Sequence, residues 1–235
     1  MHKVSIPQSV YDRVAARRGS VHPFADMDPS RTALIVVDLQ NGFMMDGVGH
    51  AVCPMAREIV PNVNRLASAV RATGGKVFWI RNTHYEECLS SWSILHDYTV
   101  PEKKAHRIRS MSEGTLGNEL WEALDVQPED EEVRKTRFSA FIQGSSDLEL
   151  RLRRQGLDTV LITGTVTNVC CESTARDAMM LNFKTVMITD GCAAANDEEH
   201  TASLIAFYNA FGDILSTDET IACLEKNAGL KQAAE

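Results

Sequence analysis

The sequence predicts a three-layer α/β/α protein built on a doubly wound, mostly parallel six-stranded sheet. Two observations carry that expectation. Short apolar segments alternate with helical patterns of ten or more residues, as in successive right-handed βαβ units. The first of these segments, TALIVVD (32–38), is a near-continuous apolar run rich in β-branched residues, the mark of a parallel strand covered on both faces.

Residues 1–30 read as an irregular or partly helical N-terminal arm that packs on the body or on a neighbouring subunit. Residues 31–235 form the single domain. After the strand at 32–38, helical periodicity covers 55–73 and stops at Gly74-Gly75. KVFWI (76–80) is the second strand and EEVRK (131–135) the third. A helix over 147–154 ends at Gly156, and strands follow at 158–163, 184–190 and 213–216. Helices are expected over 168–181, 197–210 and 218–227. The stretch at about 82–130 is an insertion too long for an ordinary connection, with one short helix expected near 115–124. Insertions of this length are frequently functional, and both a lid and an oligomer contact fit. No internal repeat is present.

Composition narrows the class. With 235 residues and a 44% hydrophobic share, the chain can bury one sizeable core. A formal charge of -8 argues against general nucleic-acid binding, which requires a basic footprint. No apolar run approaches the roughly 18 residues of a membrane span, and the opening residues lack a signal peptide's apolar core. Six dispersed cysteines do not resemble a disulfide framework. Cytoplasm is the expected compartment, and no membrane partner is expected.

In an open parallel sheet, ligands bind outside the carboxyl ends of the strands. Asp38 ends the first strand, Lys135 ends the third, and Cys170 follows the fourth, after Gly164 and a Thr-rich turn. A cysteine where a helix begins lies near unpaired backbone N–H groups, which favour its thiolate. A buried structural cysteine is the competing reading. Taken singly, Asp38 is also a turn cap and Lys135 a solvated lysine. Together they supply an amidase: Cys170 as nucleophile, Asp38 as proton carrier, Lys135 to stabilise thiolate and carboxylate. Backbone N–H groups of the 165–170 turn would then face the carbonyl oxygen. A Cys–His pair is less well supported, because His84, His96, His106 and His200 lack comparable strand-end positions. No G-x-G-x-x-G follows a strand; Gly42, Gly47 and Gly49 lack the spacing of a dinucleotide site.

The segments IVVDLQNGF (35–43), KTRFSAF (135–141), TGTVTNVCCESTARDA (163–178) and ITDGCAA (188–194), in this order, resemble the isochorismatase-like cysteine hydrolases over roughly 30–225. The resemblance implies a catalytic triad on Asp38, Lys135 and Cys170. It also implies a cis peptide joining Thr165 to Val166, with the Val166 and Cys170 N–H groups forming the oxyanion hole. Cys171 stands where the family usually has valine and reads as a packing residue. Within the family, enzymes that cleave an enol ether lack the nucleophilic cysteine, so its presence implies C–N cleavage. Nicotinamidases hold a metal through an aspartate and histidines, and no Asp-x-His arrangement occurs in 42–100, where His50, His84 and His96 are scattered. A metal-free enzyme without cofactor is therefore expected.

TNVCxEST is similar to the ureidoacrylate amidohydrolases, beside the N-carbamoylsarcosine amidases. The implied substrate is a small ureido or N-carbamoyl compound, hydrolysed with release of ammonia through a covalent intermediate on Cys170. Hydrolysis of a simple carboxamide, as by nicotinamidases, is the alternative, and a non-catalytic binding member of the fold is a third. Substrate contacts are expected from Gln40 and Asn41, just past Asp38, and from His84, Tyr85 and Trp92 in the insertion. The basic run KKAHRIR (103–109) can attract a carboxylate or be plain solvated surface. The resemblance further implies a homodimer or homotetramer.

Overall fold

The computed structural model describes residues 1–232. Its sheet comprises β1 (Thr32–Val37), β2 (Lys76–Asn82), β3 (Glu131–Lys135), β4 (Thr159–Thr165), β5 (Lys184–Ala193) and β6 (Asp213–Leu215). The strands run in the order β3-β2-β1-β4-β5-β6, and every neighbouring pair is parallel. Strands leave β1 in one direction and β4 in the other, so the topological switch lies between these two, where a ligand crevice opens at the carboxyl edge.

The period of two along β1 feeds two cores. Ala33, Ile35 and Val37 face one side with Phe78, Ile80, Val160 and Ile162. Leu34 and Val36 face the other with Val77, Trp79, Leu161 and Val186. The first face is covered by α1 (Gln8–Arg18) and by helices further along the chain. The arm thus docks on the body, burying Val10 and Val14 in the core. The second face is covered by α2 (Val60–Ala72) through Val63, Leu66 and Val70. The pattern at 55–73 is not one helix: Pro61 lies in the first turn of α2, where its missing N–H costs nothing, and a separate short turn occupies Met55–Glu58.

In the insertion the longest helix lies elsewhere than expected, behind two short helical segments at Glu86–Ser91 and Ser93–Asp97. It is α3 (Pro101–Met111), with Pro101 opening its first turn and Arg109 in its last. Residues 115–124 hold only a single 3-10 turn at Leu116–Asn118. The cause is a close approach: a Cβ on Gly117 would stand 2.3 Å from the Ser110 carbonyl oxygen, so the chain folds back tightly over the end of α3. The sandwich is completed by α4 (Leu148–Arg154), α5 (Glu172–Met180), α6 (Asp197–Ala210) and α7 (Thr217–Gln232). No helix among the described residues is long and apolar enough to cross a membrane.

Candidate active site

Three strand ends meet at the switch point. Asp38 follows β1 in the left-handed region, with φ 55°, a conformation that Asp and Asn tolerate better than most residues. Its backbone N–H is fixed by the Ile80 carbonyl of β2 at 3.0 Å. Lys135 ends β3 in register with Asn82 of β2. Its Nζ stands 2.7 Å from Asp38 Oδ2, and both side chains are 0% exposed. A second bond runs from Nζ to the Arg137 carbonyl at 2.9 Å. The Asp38 contact is a close, fully buried ion pair.

Cys170 reaches this pair from a wide π-type turn over Thr167–Cys171 that leads into α5. Its thiol lies within hydrogen-bonding reach of the Asp38 carboxylate, and the Val166 N–H faces its sulfur. The Thr165–Val166 peptide is cis. Cys171 turns into the core, where its sulfur approaches the Thr163 carbonyl at 3.8 Å and neighbours Cys192. Asn168 donates to the Glu199 carboxylate at 3.1 Å.

Burial sets the protonation chemistry. It pushes the Cys170 thiol well above its ordinary range, with Lys135 only partly opposing, so the resting sulfur carries its proton. Burial likewise raises Asp38 despite Lys135, which makes this carboxylate a stronger base than an exposed aspartate. Burial works against the Lys135 charge most strongly, but the adjoining Asp38 carboxylate and the Cys170 and Cys171 sulfurs together offset it and hold the ammonium above the usual lysine range.

A cavity of about 210 Å³ opens over Cys170. Its walls are apolar at Phe43, Leu95, Phe138 and Val169, and polar at His50, Asn82 and His84, with Lys103 and Arg107 contributed by α3. Val166 also borders it. Of the residues expected to touch substrate, His84 alone lines this space. Gln40 is spent on structure: its Nε2 donates to the Asn82 and Asn118 carbonyls at 3.1 and 2.8 Å, and its Oε1 accepts from the Asn82 N–H at 2.8 Å. Asn41 donates to the Leu116 carbonyl at 2.9 Å. Tyr85 engages Arg134. Trp92 packs edge-on against Phe138, with ring centroids 4.8 Å apart, and so buttresses the wall from outside. Phe43, His50, Leu95 and Phe138 carried no sequence signal of a pocket; Asn82 had one, being a polar residue at the end of a parallel strand. Among the described residues, no three His, Cys, Asp or Glu side chains converge as metal ligands do.

A parallel 3-2-1-4-5-6 sheet thus brings an acid, a lysine and a cysteine together at its switch point. Residues 32–219 match the isochorismatase domain, and the chain belongs to the isochorismatase family of hydrolases. It is 34% identical to the probable inactive nicotinamidase At3g16190 of Arabidopsis thaliana, over 76% of this chain and 88% of that one. It is 32% identical to the ureidoacrylate amidohydrolase RutB of Pseudomonas savastanoi pv. phaseolicola, over 82% of this chain and 83% of that one. Among solved structures, a cysteine hydrolase from Pseudomonas syringae pv. phaseolicola 1448A superposes with a TM-score of 0.74 at 27% identity, covering 86% of this chain and 96% of that one.

Proposed function

We propose that the chain is a cysteine amidohydrolase that cleaves a C–N bond of a small ureido or N-carbamoyl compound, with Asp38, Lys135 and Cys170 as its catalytic residues. The observation that carries this reading is the buried Asp38–Lys135 ion pair beside the Cys170 thiol, at the floor of a cavity. Because the thiol rests protonated, attack on the carbamoyl carbon is coupled to transfer of its proton to Asp38. Lys135 keeps the carboxylate in place and offsets negative charge on the sulfur. The backbone N–H groups of Val166 and Cys170 receive the oxyanion. Collapse of the tetrahedral intermediate breaks the substituted C–N bond; the amine departs with the proton from Asp38, leaving a carbamoyl group on sulfur. Water, deprotonated by Asp38, then releases carbamate, which decomposes to carbon dioxide and ammonia.

The RutB relative supports the ureido class, and nicotinamidase 3 of Arabidopsis thaliana, 28% identical over 83% of this chain, favours a plain carboxamide as the second reading. Ammonia release from ureido acids, carbamoyl amines and plain carboxamides, with Cys170→Ser alongside, separates the two. Turnover of carbamoylated substrates that disappears in the variant is expected. Turnover confined to plain carboxamides would move the assignment to the second reading, and wild-type rates without Cys170 would overturn the mechanism.

A further inference from the structure

Resting on the amidohydrolase reading, we propose that His2 of the N-terminal arm is a positioning residue that holds the Val166 oxyanion donor in place from outside the cavity. Val166 has two chain neighbours, Thr165 and Thr167, and His2 braces the elements that hold each of them.

The first route runs through the sheet. His2 Nε2 accepts the Ala194 N–H at 2.9 Å. Ala194 follows Ala193, which ends β5 in register with Thr165. The Thr165 hydroxyl donates to the Ala193 carbonyl at 3.4 Å. The second route runs through α6. The His2 ring stacks on that of His200, with centroids 4.4 Å apart and planes 17° from parallel. His200 Nε2 donates to the Thr189 carbonyl, and its Nδ1 accepts from the Thr167 hydroxyl at 2.8 Å. Ser203, further along α6, donates to the Glu172 carboxylate at 2.6 Å, just past the turn that carries Cys170.

The hydrogen-bond network also assigns the tautomer of His2. Because Nε2 accepts, the proton sits on Nδ1, which donates to Asp197 Oδ1 at 2.7 Å in the first turn of α6. One ring therefore ties the end of β5 to the start of α6, and these two elements flank the oxyanion turn. Anchoring the arm does not require this, since α1 already buries Val10 and Val14 in the core. The His2 side chain is nevertheless only 2% exposed, with both ring nitrogens satisfied. A buried polar network that is fully satisfied fixes a single geometry. Misplacing a catalytic donor by about 1 Å can cost about 100-fold in rate.

The test combines hydrogen exchange, which needs no turnover, with steady-state kinetics on the full chain. The Val169 and Cys171 N–H groups close the turn on the Val166 carbonyl at 3.0 and 3.2 Å. In His2→Ala they are expected to exchange several-fold faster, while kcat per folded molecule falls about tenfold or more at unchanged KM. His2→Phe keeps a ring to stack but neither hydrogen bond, and falls as far. His2→Gln keeps an acceptor and a donor and retains most of the rate. Gln8→Ala, at an exposed pair on the same arm, changes neither readout. Unchanged exchange at the turn, kcat retained in His2→Ala, or His2→Gln no better than His2→Phe would overturn the proposal. If the wild type turns over neither carbamoylated substrates nor carboxamides while exchange still responds to His2, the hydrolase reading fails and the positioning of the turn by His2 stands.

Discussion

Gly164 and Val37 approach so closely that a Cβ on the glycine would stand 2.0 Å from the Val37 carbonyl oxygen. Val37 precedes Asp38, and Gly164 lies one residue before the Thr165–Val166 peptide, so this contact joins Asp38 to the turn that carries Cys170. Gly164 also has φ 114°, a conformation closed to ordinary side chains. Gly164→Ala is therefore expected to cost about 2–4 kcal/mol and to displace β4 from β1. Urea unfolding gives the stability loss. Activity should fall further than the unfolded fraction explains, because the surviving folded molecules hold Asp38 and Cys170 out of place.

The two adjacent thiols have opposite surroundings: Cys170 borders the cavity, while Cys171 is enclosed with Cys192. Iodoacetamide followed by peptide mass spectrometry should modify Cys170 slowly, its thiol being buried and protonated, but faster than the fully enclosed Cys171 in the folded protein. Cys171→Ala should retain turnover at a stability cost of about 1 kcal/mol. Labelling of Cys171 in preference to Cys170 would show that the nucleophile has been misassigned.

The strand ends were legible because chemistry and topology coincide there. Asp38, Lys135 and Cys170 each follow an apolar or alternating run, and parallel strands bring such ends to one rim whatever the connections do. The cavity walls were not legible in the same way. Phe43, His50, Leu95 and Phe138 come from separate segments, and no periodicity marks a residue whose neighbours are all distant in sequence. Gln40 misled for a local reason: its closeness to Asp38 in sequence suggested substrate contact, yet the left-handed turn at Asp38 directs it inward to join Asn82 and Asn118. The α3 helix went unrecognised because its sequence, PEKKAHRIRSM, has too few apolar residues for a clear stripe, although Pro101 and Glu102 are a proper helix start.

The ion pair under the cavity lends itself to a double-mutant cycle. Lys135→Met leaves the Asp38 carboxylate buried without its cation, and a loss of about 3–5 kcal/mol is expected. Asp38→Asn preserves the left-handed backbone while removing the charge. The double variant should be markedly more stable than the sum of the single losses predicts, because neither charge then remains unpaired. All three proteins should be inactive. Additive losses in denaturant unfolding would mean that the two groups do not interact.

His200 sets an acid limit on stability. Its Nε2 donates to the Thr189 carbonyl at 2.9 Å, which leaves Nδ1 to accept from the Thr167 hydroxyl at 2.8 Å, in the turn that carries Cys170. His2 of the arm stacks on its ring at 4.4 Å. Burial lowers the His200 pKa from 6.5 to about 4. Protons therefore bind the unfolded chain more readily than the folded one between these values. The stability present above pH 6.5 is lost progressively as pH falls and reaches its full loss, about 3 kcal/mol, below the folded pKa. His50 and His84 act with the same sign. His22 opposes them: Asp213 raises its pKa against its partial burial, so its contribution is present at low pH and fades as pH rises through the folded value. With His96 also lowered by burial, four downward shifts outweigh one upward shift, so the melting temperature should drop by several degrees between about pH 7.5 and pH 5. His200→Gln keeps a donor and an acceptor without a titrating ring. It should be less stable near neutrality but lose less on acidification; an unchanged pH slope would remove His200 as the source.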